Sequence, residues 1–217
     1  AAGASGDVRG VGLVRASRAR LGGGARFVGV GGARMAAEGV QSPFDISELS
    51  VLGVLEGLMA YPRVVRRVRD TTALAVREKP DVVVLIDSWG FTLRVAQALR
   101  RIDPSIPLVK YVGPQVWATR PGRARTLAQT VDHLLSIHAF DAPHFEAHGL
   151  PVTFVGNSAL SLDFSQADPS GFRARIGAGP DDPILLVLPG SRPGEVARML
   201  PPFEAAVHAL KASHPAL

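Results

Sequence analysis

Cysteine is absent from the 217 residues. This excludes disulfides and thiolate metal sites and suits a reducing, cytoplasmic setting. Aromatic residues are scarce at 6%. Trp89, Trp117, Tyr61 and Tyr111 are scattered through apolar runs and loops rather than interleaved with basic residues, so the stacking platform of a single-strand nucleic-acid binder is missing. No apolar stretch approaches the roughly 18 to 20 residues that a membrane span needs. Histidine shows no metal pattern: His144 and His148 stand i, i+4 without the Glu of a metalloprotease helix, and no metal is expected. Initiator Met and a basic-then-apolar leader are also lacking, since the chain opens AAGASGD, and something upstream is expected.

What is present is ordinary for a globular chain, with 47% hydrophobic and 20% charged residues. The length favours one complete domain plus part of another. A net charge of +5 and a pI near 10.4 raise nucleic acid as a partner. The excess is mostly Arg and local, however, and no nucleic-acid partner is expected.

Short β-rich runs alternate with helical patterns: ARFVGV (25–30), DVVVLI (81–86), PLVKYV (107–112), HLLSI (133–137), VTFV (152–155) and ILLVL (184–188). This alternation predicts an α/β fold, a doubly wound Rossmann-like parallel sheet. DVVVLI and ILLVL are apolar on successive residues, as strands covered on both faces must be. Helices are expected at 5–21, 52–78, 92–101, 123–130, 142–148 and 193–212, with Ser5 capping the first and Pro62 breaking or kinking the second. The polar stretch 157–170 reads as a linker, dividing an N-terminal domain, 1–156, from the beginning of a second Rossmann-like domain, 171–217.

Ligands of an open parallel sheet bind at the carboxyl ends of its strands. GASGD (3–7) puts small residues and Ser5 at a helix start, where free amides suit an anionic or sugar ligand or form a capped turn. GVGGAR (29–34) fails as a dinucleotide fingerprint because position 34 is Arg. IDSWGF (86–91) places Asp87 at the lip of an apolar strand. There it can accept a proton, its pKa raised if desolvated, or cap the next helix. In YVGPQVWATRPGRAR, Trp117 offers a flat wall for a sugar ring, and Arg120 and Arg123 can grip a phosphate or line a solvated helix face. LPGSRPGEV (188–196) forms a strand, turn and helix in which Gly190, Ser191, Arg192 and Glu195 can surround a diphosphate. The stretch 51–69 combines Val51, Leu52, Leu55, Leu58 and Met59 with Arg63, Arg66 and Arg67. Such a basic amphipathic helix can lie on an anionic membrane surface or pack on the sheet with its arginines in water.

These pieces in this order resemble the lipid-A-disaccharide synthase family of inverting glycosyltransferases: ASGD at 4–7, GVGGARMAAEG at 29–39, FDISELSVLGVLE at 44–56, KPDVVVLID at 79–87, YVGPQVWATRPGR at 111–123, FVGN at 154–157 and LPGSRPGEV at 188–196. The resemblance implies a two-domain, GT-B-type fold with the second domain truncated here, and an active site between the domains. It implies transfer of a diacylated glucosamine from its UDP conjugate to diacylated glucosamine 1-phosphate, forming a β-1,6-linked disaccharide and UDP without metal or other cofactor. Asp87 matches the family's candidate base, with Ser5, Trp117, Arg120, Arg123 and Asn157 on the acceptor side. Gly190, Ser191, Arg192 and Glu195 fall on the nucleotide side. The basic helix matches a membrane-associating surface, so peripheral attachment to the inner membrane is implied. Gly3, Trp89, Gly90 and Asn157 depart from the family pattern, which usually has Glu, Pro, an acid and His there. Two alternatives stand beside this reading: a related glycosyltransferase with another acceptor, and a non-catalytic membrane-surface or nucleic-acid binding module.

Overall fold

The computed structural model describes the chain apart from residues 50–53, 162, 191–192 and 215–217, and without the side chains of 54–60, 159, 161 and 193. Two compact units are present, Ala1–Ser161 and Leu162–Leu217.

In the first unit, β1 (Val83–Ile86), β2 (Leu108–Tyr111), β3 (His133–Ser136) and β4 (Val152–Phe154) form a parallel sheet in the order β1-β2-β3-β4. The crossovers are α4 (Trp89–Ile102), α5 (Gly122–Ala128) and α6 (Ala142–Glu146). Right-handed connections between successive neighbouring strands place all three helices on one face. The register Leu85–Lys110–Leu134 turns those side chains to that face, where each is at most 5% exposed beside Ala96, Leu99 and Leu127. The other face is covered less completely: Val84, Val109, His133 and Leu135 are half-buried, and His133 meets Thr153 across it. Ile86 and Tyr111 on this same face are nevertheless buried, at 3% and 9%, so β1 is covered on both faces at its carboxyl end, as expected, and less fully before it.

Before the sheet come α1 (Ala4–Leu21), α2 (Ala33–Ala37) and α3 (Val54–Glu78). α3 continues through Pro62 instead of breaking there; Pro62 faces solvent, which can hydrate the carbonyl its ring leaves without a donor. Among its described side chains, α3 packs Val64, Val68 and Ala75 on the core. Residues 25–30, expected as a strand, form none, because no described strand pairs with them. With β1 they line an apolar cavity of about 540 Å³.

The link between α1 and α2 is a buried carboxylate. Asp7 Oδ1 accepts from the amides of Gly32 at 2.7 Å and Met35 at 3.1 Å, and Oδ2 accepts from Arg34 at 3.0 Å. The turn that fails as a nucleotide fingerprint is thus an anion nest for the protein's own side chain. A Cβ on Gly32 would stand 2.7 Å from Asp7 Oδ2, and one on Gly10 would stand 2.3 Å from Met35 Sδ, so both approaches require glycine.

In the second unit, α7 (Pro169–Ile176) is capped by Asp168, whose side chain accepts from the Gly171 amide, and the remaining described helix is α8 (Pro193–Ser213). ILLVL, expected as a doubly covered strand, forms no strand, and Leu186 and Leu188 are 69% and 73% exposed. A lone extended segment has no neighbour to complete its ladder and no second layer to cover it.

Asp7→Ala leaves three amides, that of Met35 buried and those of Gly32 and Arg34 partly buried, without their charged acceptor and is expected to lower the unfolding free energy by about 2–4 kcal/mol. Urea denaturation at neutral pH measures this, and Gly32→Ala is expected to destabilise through the same contact.

Candidate active site at the carboxyl edge of the sheet

β1 ends at Ile86, and the chain turns sharply. The Asp87 amide still donates to the Tyr111 carbonyl at 3.0 Å, but Asp87 and Ser88 have φ of +53° and +41°. Left-handed backbone costs L-residues roughly 1–2 kcal/mol each, so this turn must be held. The Asp87 carbonyl accepts from Thr92 Oγ1 at 2.8 Å and from Lys110 Nζ, and Lys110 Nζ also donates to Thr92 Oγ1 at 2.8 Å. Burial pushes the Lys110 ammonium down to about 7, with the charge of Asp87 opposing the shift.

The carboxylate itself is oriented by three donors. Oδ1 accepts from the Ser88 amide at 2.8 Å, and Oδ2 accepts from Ser5 Oγ and Arg9 Nη1, each at 2.8 Å. The desolvated carboxylate considered from the sequence is instead ion-paired, with a side chain 33% exposed. Ser5, expected to cap α1, lies inside that helix, which starts after Gly3; its hydroxyl reaches across to Asp87.

The loop after β2 and the turn after β3 supply an aromatic group on the same sheet edge. Trp117, 46% exposed, meets Phe140 edge-on with ring centroids 5.4 Å apart, and His138 stacks on Phe140 at 5.0 Å. The Arg123 guanidinium lies 5.0 Å above the Trp89 ring, which ties the start of α5 to the start of α4, directly after the turn bearing Asp87. Burial and the neighbouring charge of Arg120 hold Arg123 below the usual guanidinium range. Arg120 is exposed and has φ of +54°. The expected cluster therefore divides: Trp117 pairs with Phe140, and Arg123 pairs with Trp89. This gives the departing residue Trp89 a physical partner. Chemically, the edge offers an anchored carboxylate, exposed aromatic faces and guanidinium groups.

Asn157 follows β4 and opens a short turn, its carbonyl accepting from the Leu160 amide at 2.9 Å. In the second unit Gly190 has φ of +126°, and a Cβ there would stand 2.8 Å from Glu195 Cβ, so Gly190 and the first turn of α8 are in close contact. Ser191 and Arg192 lie outside the described residues, as do Val51 and Leu52. Leu55, Leu58 and Met59 belong to α3, but their side chains are outside the description. Arg63 and Arg66 are exposed. Arg67 turns inward: it pairs with Glu48 at 2.7 Å and Asp70 at 2.9 Å and lies 4.6 Å from the Phe44 ring, so its charge is occupied within the fold.

Sequence reasoning missed Arg9, Lys110 and Phe140. Arg9 stands four residues after Ser5 on one face of α1, a legible spacing. Lys110 is a charge inside the apolar run PLVKYV, also a legible signal. Nothing local marks Phe140.

The family profile for lipid-A-disaccharide synthetase matches residues 1–217. A lipid-A-disaccharide synthase of Rhodospirillum centenum is 45% identical over 213 residues, covering 98% of this chain and 53% of the relative. One from Paramagnetospirillum magneticum is 41% identical, covering 98% and 55%, and one from Myxococcus xanthus is 39% identical, covering 99% and 55%. The chain spans about half the length of these relatives. A match along its whole length, over the motifs that build this edge, establishes that the chain belongs to the lipid-A-disaccharide synthetase family.

Proposed function

We infer that this chain is the acceptor-side part of a lipid-A-disaccharide synthase. The reaction is transfer of 2,3-diacylglucosamine from UDP to 2,3-diacylglucosamine 1-phosphate. The reading rests on family membership, and the observation that carries its chemistry is the Asp87 carboxylate anchored at the carboxyl edge by Ser5 and Arg9. Asp87 takes the proton of the acceptor 6-hydroxyl as that oxygen attacks the anomeric carbon of the donor. The carbon–oxygen bond to the diphosphate breaks with inversion, its electron pair leaves with UDP, and the proton remains on Asp87. Arg9 pairs with the carboxylate before the step and must yield part of that pairing as the proton arrives. Trp117 and Phe140 offer the face against which a sugar ring lies, and Arg120 and Arg123 supply charge for the acceptor phosphate. Gly190, Ser191, Arg192 and Glu195 are assigned to the nucleotide, where backbone amides and the Arg192 charge stabilise the leaving diphosphate without a metal ion.

The domain assignment follows the same reading: 1–156 for acceptor and membrane, 157–170 as linker, and 171–217 as the beginning of the nucleotide-binding domain. Among the described residues no helix is long and apolar enough to cross a membrane. On α3, exposed Arg63, Arg66 and Arg69 accompany exposed Tyr61 and Val65. This face suits contact with the anionic cytoplasmic surface of the inner membrane, where acylated substrates reside.

In the full-length polypeptide, Asp87→Asn is expected to lower kcat for UDP release by about 10²–10⁴-fold, the range of general-base loss; an undiminished rate removes Asp87 from the chemistry. Arg120→Ala with Arg123→Ala is expected to raise the acceptor KM roughly tenfold or more, with a smaller effect on the donor KM. Sedimentation with phosphatidylglycerol vesicles tests the surface: at about 1 kcal/mol per basic residue, Arg63→Ala with Arg66→Ala weakens binding roughly 30-fold, and equal binding shows that α3 does not face the membrane.

A further inference from the structure

Lys110 sits in β2 and is 3% exposed. A buried ammonium carries a desolvation penalty of several kcal/mol, so its surroundings must reward it. Its register partner on β1 is Leu85, and the side chain reaches two residues further to Asp87. Leu85, Trp89, Thr92, Ala96, Leu127 and Val131 surround it, which leaves little room for water as an alternative partner. The acceptors Nζ finds are the Asp87 carbonyl and Thr92 Oγ1, and both belong to the turn that presents the Asp87 carboxylate.

We propose that Lys110 is a positioning residue that clamps the left-handed Asp87–Ser88 turn and so fixes where the Asp87 carboxylate stands. The proposal rests on the reading of Asp87 as the proton acceptor and concerns how that group is held. In the observed turn the Asp87 carbonyl points inward, where Lys110 and Thr92 meet it, while the carboxylate points outward to Ser5 and Arg9. Were Asp87 to relax to extended backbone, its carbonyl would leave the ammonium, which would then be buried with Thr92 Oγ1 alone. The ammonium thus penalises every other conformation of the turn. A methionine of similar length would fill the space without imposing that preference. A charge-assisted bond is roughly twice as strong as a neutral one, which helps to hold a left-handed backbone that L-residues otherwise avoid.

The test uses Lys110→Met, Thr92→Val and Asp87→Asn in the full-length polypeptide. A catalytic group displaced by about 1 Å loses on the order of 10²-fold, so Lys110→Met is expected to lower kcat by that factor while the acceptor KM changes little. Adding Lys110→Met to Asp87→Asn is expected to cost nothing further, because the first acts through the second. The carbon-13 Cα and Cβ shifts of Asp87 and Ser88 are expected to leave their left-handed values in Lys110→Met. Wild-type kcat in Lys110→Met, or losses that multiply with Asp87→Asn, overturns the clamp. Should Asp87→Asn itself remain active, the base assignment fails and the shifts alone judge the clamp: unchanged values overturn it. Should Lys110→Met fail to fold by circular dichroism, Thr92→Val replaces it. A fall in kcat with shifted Asp87 and Ser88 resonances then supports the clamp, and wild-type behaviour overturns it.

Discussion

Asp87 is held from two sides at once, its carbonyl by Lys110 and Thr92 beneath the sheet edge and its carboxylate by Ser5 and Arg9 above it. Two successive left-handed residues cost roughly 2–4 kcal/mol together, and hydrogen bonds to charged groups contribute about 1.5–3 kcal/mol each. Each set of bonds is thus large enough to offset the strain, and the two fix different atoms of Asp87, the carbonyl on one side and the carboxylate on the other. Strained backbone recurs along this edge, at Val112 and Arg120 after β2, which places the cost where strands end and ligands of parallel sheets bind.

Helix α1 brackets this edge to the rest of the unit. Ser5 and Arg9, one turn apart, reach Asp87, while Asp7 between them turns to the amides that open α2. The stretch ASGDVR therefore bonds to two loops distant in sequence and aligns them. Gly10, the next residue along, leaves the space that Met35 occupies.

Strand–helix alternation was legible for β1 to β4, because each is a short apolar run bounded by breakers, and Asp87 followed from its place after the most apolar of them. Residues 25–30 and ILLVL carry equal β propensity but form no strand, since pairing depends on a neighbour that composition does not reveal. Ser5 looked like a cap because its partner lies 82 residues away. The Gly-rich turn at 29–34 did mark an anion site, but the anion is Asp7, and motif spacing alone does not distinguish a ligand from a side chain. Arg67 read as one more surface cation of α3, and only tertiary contact with Glu48 and Phe44 reveals it as structural.

The most direct measurement is a crystal structure of the full-length polypeptide with a glucosamine 1-phosphate acceptor bound. The account predicts the acceptor 6-hydroxyl within about 2.6–3.2 Å of an Asp87 carboxylate oxygen, the reach a general base requires. An acceptor seated elsewhere, with Asp87 still bound solely to Ser5, Arg9 and its own turn, would contradict it.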